Sequence, residues 1–331
     1  ASNGAFGIAV DFGAVGTVIG GAVAGEGNVI SGNTGIIGSA QRGGIYVWGQ
    51  DTVIQGNLIG TDSSGTVLIG NGLAAPQVSA GILVQASASG TQIGGTASGA
   101  GNTIAGNQGS GILAPGGTGS VFVALRNRIY ANADLGIDLG QDGVTANDAG
   151  DVDTGPNDRQ NTPVLVAAVS AGGTTAISGT LQSAASTTYR IEFFSDPSPD
   201  ASGHGEARTY LGATTVTTDA LGHASFNTTL VGVGVSAGTA VTATATLDLG
   251  AGSYASTSEF SANVATQQNA LIVDTTGVWI RPEGEMFICG VSPPAEADPR
   301  ATDFDVDEAP FYETVWPALA QRIPAMEALR L

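Results

Sequence analysis

Lysine is missing altogether from these 331 residues; all ten basic side chains are arginine. That excludes Schiff-base chemistry, a pyridoxal-phosphate anchor and a phosphate loop with a Walker lysine. A single cysteine, Cys289, rules out any intrachain disulfide, so stapling is not what holds the fold. Charged residues are sparse at 12%, yet the formal charge is −19, because bases are few rather than acids many. Nucleic acid and anionic lipid surfaces are poor partners for such a chain, and cations are its natural counterpart. No apolar run of about 18 residues escapes interruption by glycine or polar residues, so no membrane insertion is expected. Ala1 stands inside a repeat phrase, which leaves a removed leader or earlier coils open and neither shows nor refutes secretion.

What is present is repetition. The phrase Asn-x-Ile-x-x-Asn, or its Asp-ending variant, occurs at Asn28 to Asn33, Asn57 to Asp62, Asn102 to Asn107 and Asn127 to Asn132. A second phrase, Gly-Ile, recurs at Gly7, Gly44, Gly81, Gly111 and Gly136. Each phrase reads as a short strand bounded by turn formers, with one β-branched side chain turned inward and Asn or Gly at the corner, where a left-handed backbone is tolerated. No piece could bury a core alone. Stacked, their isoleucines make a continuous apolar column and their asparagines a hydrogen-bonded ladder, the logic of a right-handed parallel β-helix. At roughly 20 to 25 residues per coil, residues 1–145 would form about six coils. Asn28, Asn33, Asn57, Asn102, Asn107, Asn127 and Asn132 are read as structural, since they obey the repeat.

An acidic connector follows over residues 146–162. Its Asp148, Asp151, Asp153, Asn157 and Asp158 offer the oxygen ligands that calcium prefers, although their spacing is not that of an EF-hand. An Asp-rich surface loop held by Asx turns accounts for the same residues. From residue 163 to 265 the texture changes to seven longer alternating strands, the last over Glu259 to Val264, which read as an immunoglobulin-like sandwich. The predicted fold class is thus all-β, a parallel β-helix followed by a β-sandwich, with a short α+β tail over residues 266–331.

Several phrases, among them Gly136-Ile-Asp-Leu-Gly140, Gln160-Asn-Thr-Pro-Val-Leu165, Tyr189-Arg-Ile-Glu-Phe-Phe194 and Thr257-Ser-Glu-Phe-Ser261, resemble a group of bacterial exported or surface proteins. In that group a parallel β-helix precedes a β-sandwich, and the resemblance implies secretion or a cell-surface location. The tail is worded differently. Trp279-Ile-Arg-Pro-Glu-Gly284, Phe287-Ile-Cys-Gly290 and Trp316-Pro-Ala-Leu-Ala-Gln-Arg322 resemble FAD-dependent oxidoreductases of the D-amino-acid-oxidase-like class. It reads as a strand pair turning at Glu283-Gly284, then a helix from about Asp307 to Gln321 with Phe311, Val315 and Leu319 on one face. Arg281 matches a position common in that class. No strand, G-x-G-x-x-G turn and helix is found to hold a dinucleotide, and Gly232-Val-Gly234 lies in strand-rich sequence. The tail is therefore read as a fragment fused to an unrelated chain, and no FAD is expected.

Three further groups complete the site expectations. Arg126 and Arg128 on one coil, with Asp134 and Asp138 beyond, could serve a calcium-dependent lyase or epimerase, or simply be solvated polar positions. Tyr46 and Trp48 could stack on a sugar ring, or pack on the following insertion. His204 and His223, with Glu206 near the first, read as turn residues, and Cys289 as an inert buried thiol. The leading expectation is a noncatalytic extracellular protein binding polysaccharide or another cell-surface ligand, with end-to-end self-association through an open coil end as a further expectation.

Overall fold

The computed structural model describes residues 5–35, 41–75, 78–117, 119–268, 272–273, 276–283, 286–291 and 308–322. Within the first 140 residues each coil contributes one strand to each of three parallel sheets. The first sheet stacks Phe6–Val10, Gln41–Val47, Val78–Val84, Ser110–Ala114 and Ile137–Leu139. The second stacks Val18–Gly20, Val53–Gln55, Ser89–Gly94 and Val121–Leu125. The third stacks Val29–Ile30, Leu58–Ile59, Thr103–Ala105 and Arg128–Tyr130.

Register puts like on like. Ile8, Ile45, Ile82, Ile112 and Ile137 form one column, and Ile30, Ile59, Ile104 and Ile129 another. Ile19, Ile54, Ile93 and Ala124 make the third. Nearly all of these side chains are fully enclosed. At about 1.5–3 kcal/mol for each buried isoleucine, these columns are the main favourable contribution of the stack.

Two asparagine ladders run beside them. Asn28 donates to Asn57, Asn57 to Asn102 and Asn102 to Asn127, each through its backbone N–H and its side-chain Nδ2 to the next Oδ1 at 2.9–3.0 Å. The second ladder runs Asn33, Asn71, Asn107, Asn132 in the same sense. The other Nδ2 hydrogen of each interior asparagine returns to an isoleucine carbonyl of the preceding coil, as from Asn102 to Ile54. The side-chain amides of the interior rungs are thereby hydrogen-bonded, which matters because a buried unpaired amide would cost about 1–3 kcal/mol.

The ladders also correct the predicted coil length. Consecutive rungs are 29, 45 and 25 residues apart in one ladder and 38, 36 and 25 in the other. Among the described residues four three-strand coils and a fifth first-sheet strand result, rather than about six coils. Asp62, the expected rung, instead turns a hairpin that bulges outward: its carboxylate accepts the N–H groups of Thr66 and Val67 and the Ser64 hydroxyl. Asn71 takes the vacated rung.

Glycine precedes the asparagine in the earlier coils for a steric reason. A Cβ on Gly27 or Gly101 would run into the carbonyl oxygen of Gly56 or Arg126 in the next coil. The final coil has no coil beneath it, and there Arg126 and Ala131 occupy these corners, with φ of 54° at both.

Residues 164–265 form two mainly antiparallel sheets sharing one core. The first carries Val164–Ala171, Thr174–Gln182 and His223–Val231. The second carries Thr188–Asp196, Thr209–Thr217, Ala240–Gly250 and Ser253–Thr257. Ile177, Leu181, Tyr189, Ile191, Phe193 and Val241 lie between them. The expected seventh strand over Glu259 to Val264 does not form as such. Ser258 and Ser261 still donate to Ala245 and Ala243, but Glu259 and Phe260 swing toward the coil stack, and only Val264–Ala265 is strand.

In the tail, Val278–Glu283 pairs with Met286–Val291, and Ile272–Val273 adds a third strand. A wide helical turn over Phe311–Val315 leads into the α-helix Trp316–Arg322, whose Leu319 packs with Val315 on Val278 and Ile280. The Asp307 end of the predicted helix, the Gly284 turn and the Arg281 side chain lie outside the described residues. No helix among the described residues is long and apolar enough to cross a membrane.

Candidate functional site

The seam where the last coil meets the second antiparallel sheet concentrates the buried polar groups of the molecule. Exposed at the end of the stack, backbone N–H groups and the final asparagine rungs need acceptors. The sheet region supplies three glutamates. Glu206 accepts from the Asn132 backbone N–H and from its Nδ2 at 2.8 Å, so a carboxylate closes the second ladder. Glu192 accepts the Arg126 N–H at 2.7 Å and pairs with Arg190 at 2.9 Å. Glu259 accepts from Leu139 and Thr145, both at 2.8 Å. Asn157 and Thr257 complete the cap on Phe122 and Ala124.

Burial pushes Glu206 and Glu259 up to about 7, against the lowering effect of the N–H groups they accept. Glu192 is raised as well, for the same reason. Phe194, Tyr210 and Phe260 form an edge-to-face cluster beneath them, with centroids 5.6 Å apart.

On the outer side of this seam an open cleft of about 460 Å³ is lined by Gly99, Gly101, Arg126, Arg128, Thr209 and Tyr210. The Arg126 guanidinium lies over the Tyr210 ring at 4.6 Å and donates to the Thr96 carbonyl at 2.7 Å. Arg128 donates through Nε to the Arg208 carbonyl at 2.9 Å, and Arg208 lies 4.1 Å over Tyr130. Arg126 and Arg128 are thus brought together. Asp134 and Asp138 are not with them; Asp134 is exposed at another corner, and Asp138 is buried on the first sheet, accepting the Gln141 N–H. Burial, with Asp142 and Asp134 nearby, pushes Asp138 up to about 6.

Of the five connector residues, Asp148, Asp151 and Asp153 converge, each offering an oxygen within 4.8 Å of the others. Asp151 accepts from Gln160, Asn161 and the Ser183 hydroxyl, and burial pushes it up to about 6. Asp148 Oδ1 and Asp153 Oδ1 are enclosed without a hydrogen-bond partner, so the three carboxylates suit a divalent cation of the hard, oxygen-seeking kind. Asn157 does not join them, because its amide is spent on Phe122 and Thr257, and Asp158 is exposed.

Tyr46 and Trp48 stand in a run of four rings outside the first sheet. Phe6 and Tyr46 are 4.9 Å apart, Tyr46 and Trp48 6.4 Å, and Trp48 and Phe12 5.5 Å. Trp48 is 41% exposed and Phe12 72%. His204 reaches the Phe260 carbonyl, while His223, expected in a turn, is exposed at the first position of the strand His223–Val231. Cys289 is half-buried, and burial raises its thiol. The capping glutamates and Asn71 escaped sequence reasoning. A hint existed in three isolated glutamates, each on or beside a strand of apolar alternation, but nothing local named their partners.

No family model matches the chain. A short stretch is similar to FAD-dependent oxidoreductase domain-containing protein 1, at 41% identity over 63 residues in Xenopus laevis and 40% over 63 in Bos taurus. The Mus musculus protein matches at 36% over 66 residues. Each match covers 18–19% of this chain and only 13–14% of the relative. The length is that of the tail, whose wording carries the flavoprotein resemblance.

Proposed function

We propose that the chain is a noncatalytic polysaccharide-binding protein of the bacterial exported or surface kind, a right-handed parallel β-helix capped by an immunoglobulin-like sandwich. The observation that carries this reading is the run Phe6, Tyr46, Trp48, Phe12. Phe6 and Tyr46 are half-buried on the first sheet and back Trp48 and Phe12, which stand just past the strand ends and expose ring faces on which a sugar can stack. The Asp148, Asp151 and Asp153 cluster would hold calcium and fix the connector against the sandwich through Asp151 and Ser183. Retention on insoluble neutral polysaccharides tests the reading: Trp48→Ala is expected to abolish retention with an unchanged melting temperature. Equal retention of the variant and the parent protein would end it.

The similarity to flavoproteins favours a second reading for the tail alone. Residues 266–331 are a piece of an oxidoreductase fold separated from its dinucleotide-binding half. Among the described residues the one α-helix, Trp316–Arg322, follows a wide helical turn and not a glycine-rich strand end, so the pyrophosphate cradle such an enzyme needs is not supplied there.

A further inference from the structure

We infer that the seam cleft between Arg126, Arg128 and Tyr210 binds the carboxylate-bearing sugars of an acidic polysaccharide. This deepens the carbohydrate-binding reading and rests on it, but at a site separate from the aromatic run.

Charge is the first argument. The protein carries −19 overall with ten arginines, yet four of them, Arg126, Arg128, Arg190 and Arg208, gather at this seam. Two are spoken for, Arg190 by Glu192 and Arg208 by Asp196. Among the described residues neither Arg126 nor Arg128 forms an ion pair, and both line the cleft. Glu192, the acid that interacts with Arg126, is buried and already paired with Arg190. A local excess of positive charge therefore faces solvent in a molecule that otherwise repels anions.

Geometry is the second. Each guanidinium has five N–H donors, and each of these two spends one on a protein carbonyl, Thr96 or Arg208. That contact orients the fork and leaves the others for a carboxylate, which a guanidinium meets with two parallel hydrogen bonds. Stacking on Tyr210 fixes the Arg126 plane further. Gly99 and Gly101 also line the cleft, and Thr209 adds a hydroxyl. A planar acid on a ring, next to an aromatic face and hydroxyl partners, fits this lining better than a bare phosphate.

Arg126 also departs from the repeat, since Gly27, Gly56 and Gly101 hold the same corner in earlier coils. Arg126→Gly restores the earlier residue at a left-handed φ of 54°, so it removes the side chain without disturbing the fold. The test is binding of polygalacturonate, of a sulfated polysaccharide and of a neutral polysaccharide, at low and high salt. Polygalacturonate is expected to bind best, with an affinity that falls as salt rises. Arg126→Gly and Arg128→Gln are each expected to weaken it by about tenfold or more, since charge-assisted bidentate pairs are lost, with melting temperature and neutral-polymer binding unchanged. Polygalacturonate binding no tighter than neutral polymer, or unaffected by both substitutions, overturns the inference while Trp48-dependent retention of neutral polymer leaves the broader reading standing. Tighter binding of the sulfated polymer overturns the assignment to carboxylates. No binding of any polymer overturns both.

Discussion

Protonation of Glu206 should strengthen the junction between the coil stack and the sandwich. This carboxyl is enclosed, with Asp200 nearby, and burial pushes it from its ordinary 4.5 up to about 7. The folded protein thus holds the proton more tightly than the unfolded chain. Its stabilisation is complete below pH 4.5 and is lost as pH rises through about 7. At 1.36 kcal/mol per unit, ionised Glu206 costs about 3 kcal/mol relative to the protonated acid. Glu259, raised to about 7, and Asp138, raised to about 6, add slopes of the same sign. Urea denaturation followed by circular dichroism between pH 4.5 and 8 reads the total, and Glu206→Gln isolates one contribution. The glutamine oxygen can still accept from Asn132, so the variant should match the parent near pH 4.5 and exceed it by up to about 3 kcal/mol at pH 8. A parent protein that gains stability from pH 5 to 7, or a variant with the parent's slope, would refute the reasoning.

Calcium at one hundred times its dissociation constant should stabilise the protein by about 2.7 kcal/mol if the connector binds it, more effectively above pH 6 where Asp151 is ionised. Asp153→Asn should remove most of that gain, and a melting temperature indifferent to millimolar calcium would leave the cluster a plain acidic loop. The purified protein should show no flavin absorbance, and a yellow preparation that releases FAD on denaturation would overturn the reading of the tail.

Strand positions on the three sheets were legible because the isoleucine spacing within each phrase survives every insertion. Coil length was not, because insertions sit at corners, where a hairpin such as Thr61 to Leu68 can bulge into solvent without disturbing the columns. Asp62 mimicked a ladder rung in spacing and type, and only the register shows Asn71 holding that place. In the sandwich most strands fell near their predicted bounds, since period-2 alternation is local. Glu259 misled for the opposite reason: its partners, Leu139 and Thr145, are more than 110 residues away in sequence. Arg126 and Arg128 could be singled out as a pair, but Tyr210, which completes their cleft, is joined to them only where the second antiparallel sheet meets the last coil.

The asparagine ladders have a direction. In each asparagine-to-asparagine step the hydrogens point toward the sandwich and the accepting oxygen toward the first coil, and the second ladder ends at the Glu206 carboxyl. Two copies placed first coil against first coil would set the Asn28 and Asn33 oxygens against their equals, with no hydrogen between them. A coil that continues the stack from that side must arrive with its amide hydrogens leading, in the same orientation as the coils already there. Growth of this architecture is therefore vectorial, and a symmetric two-fold joint through that end is the one arrangement its own ladder opposes.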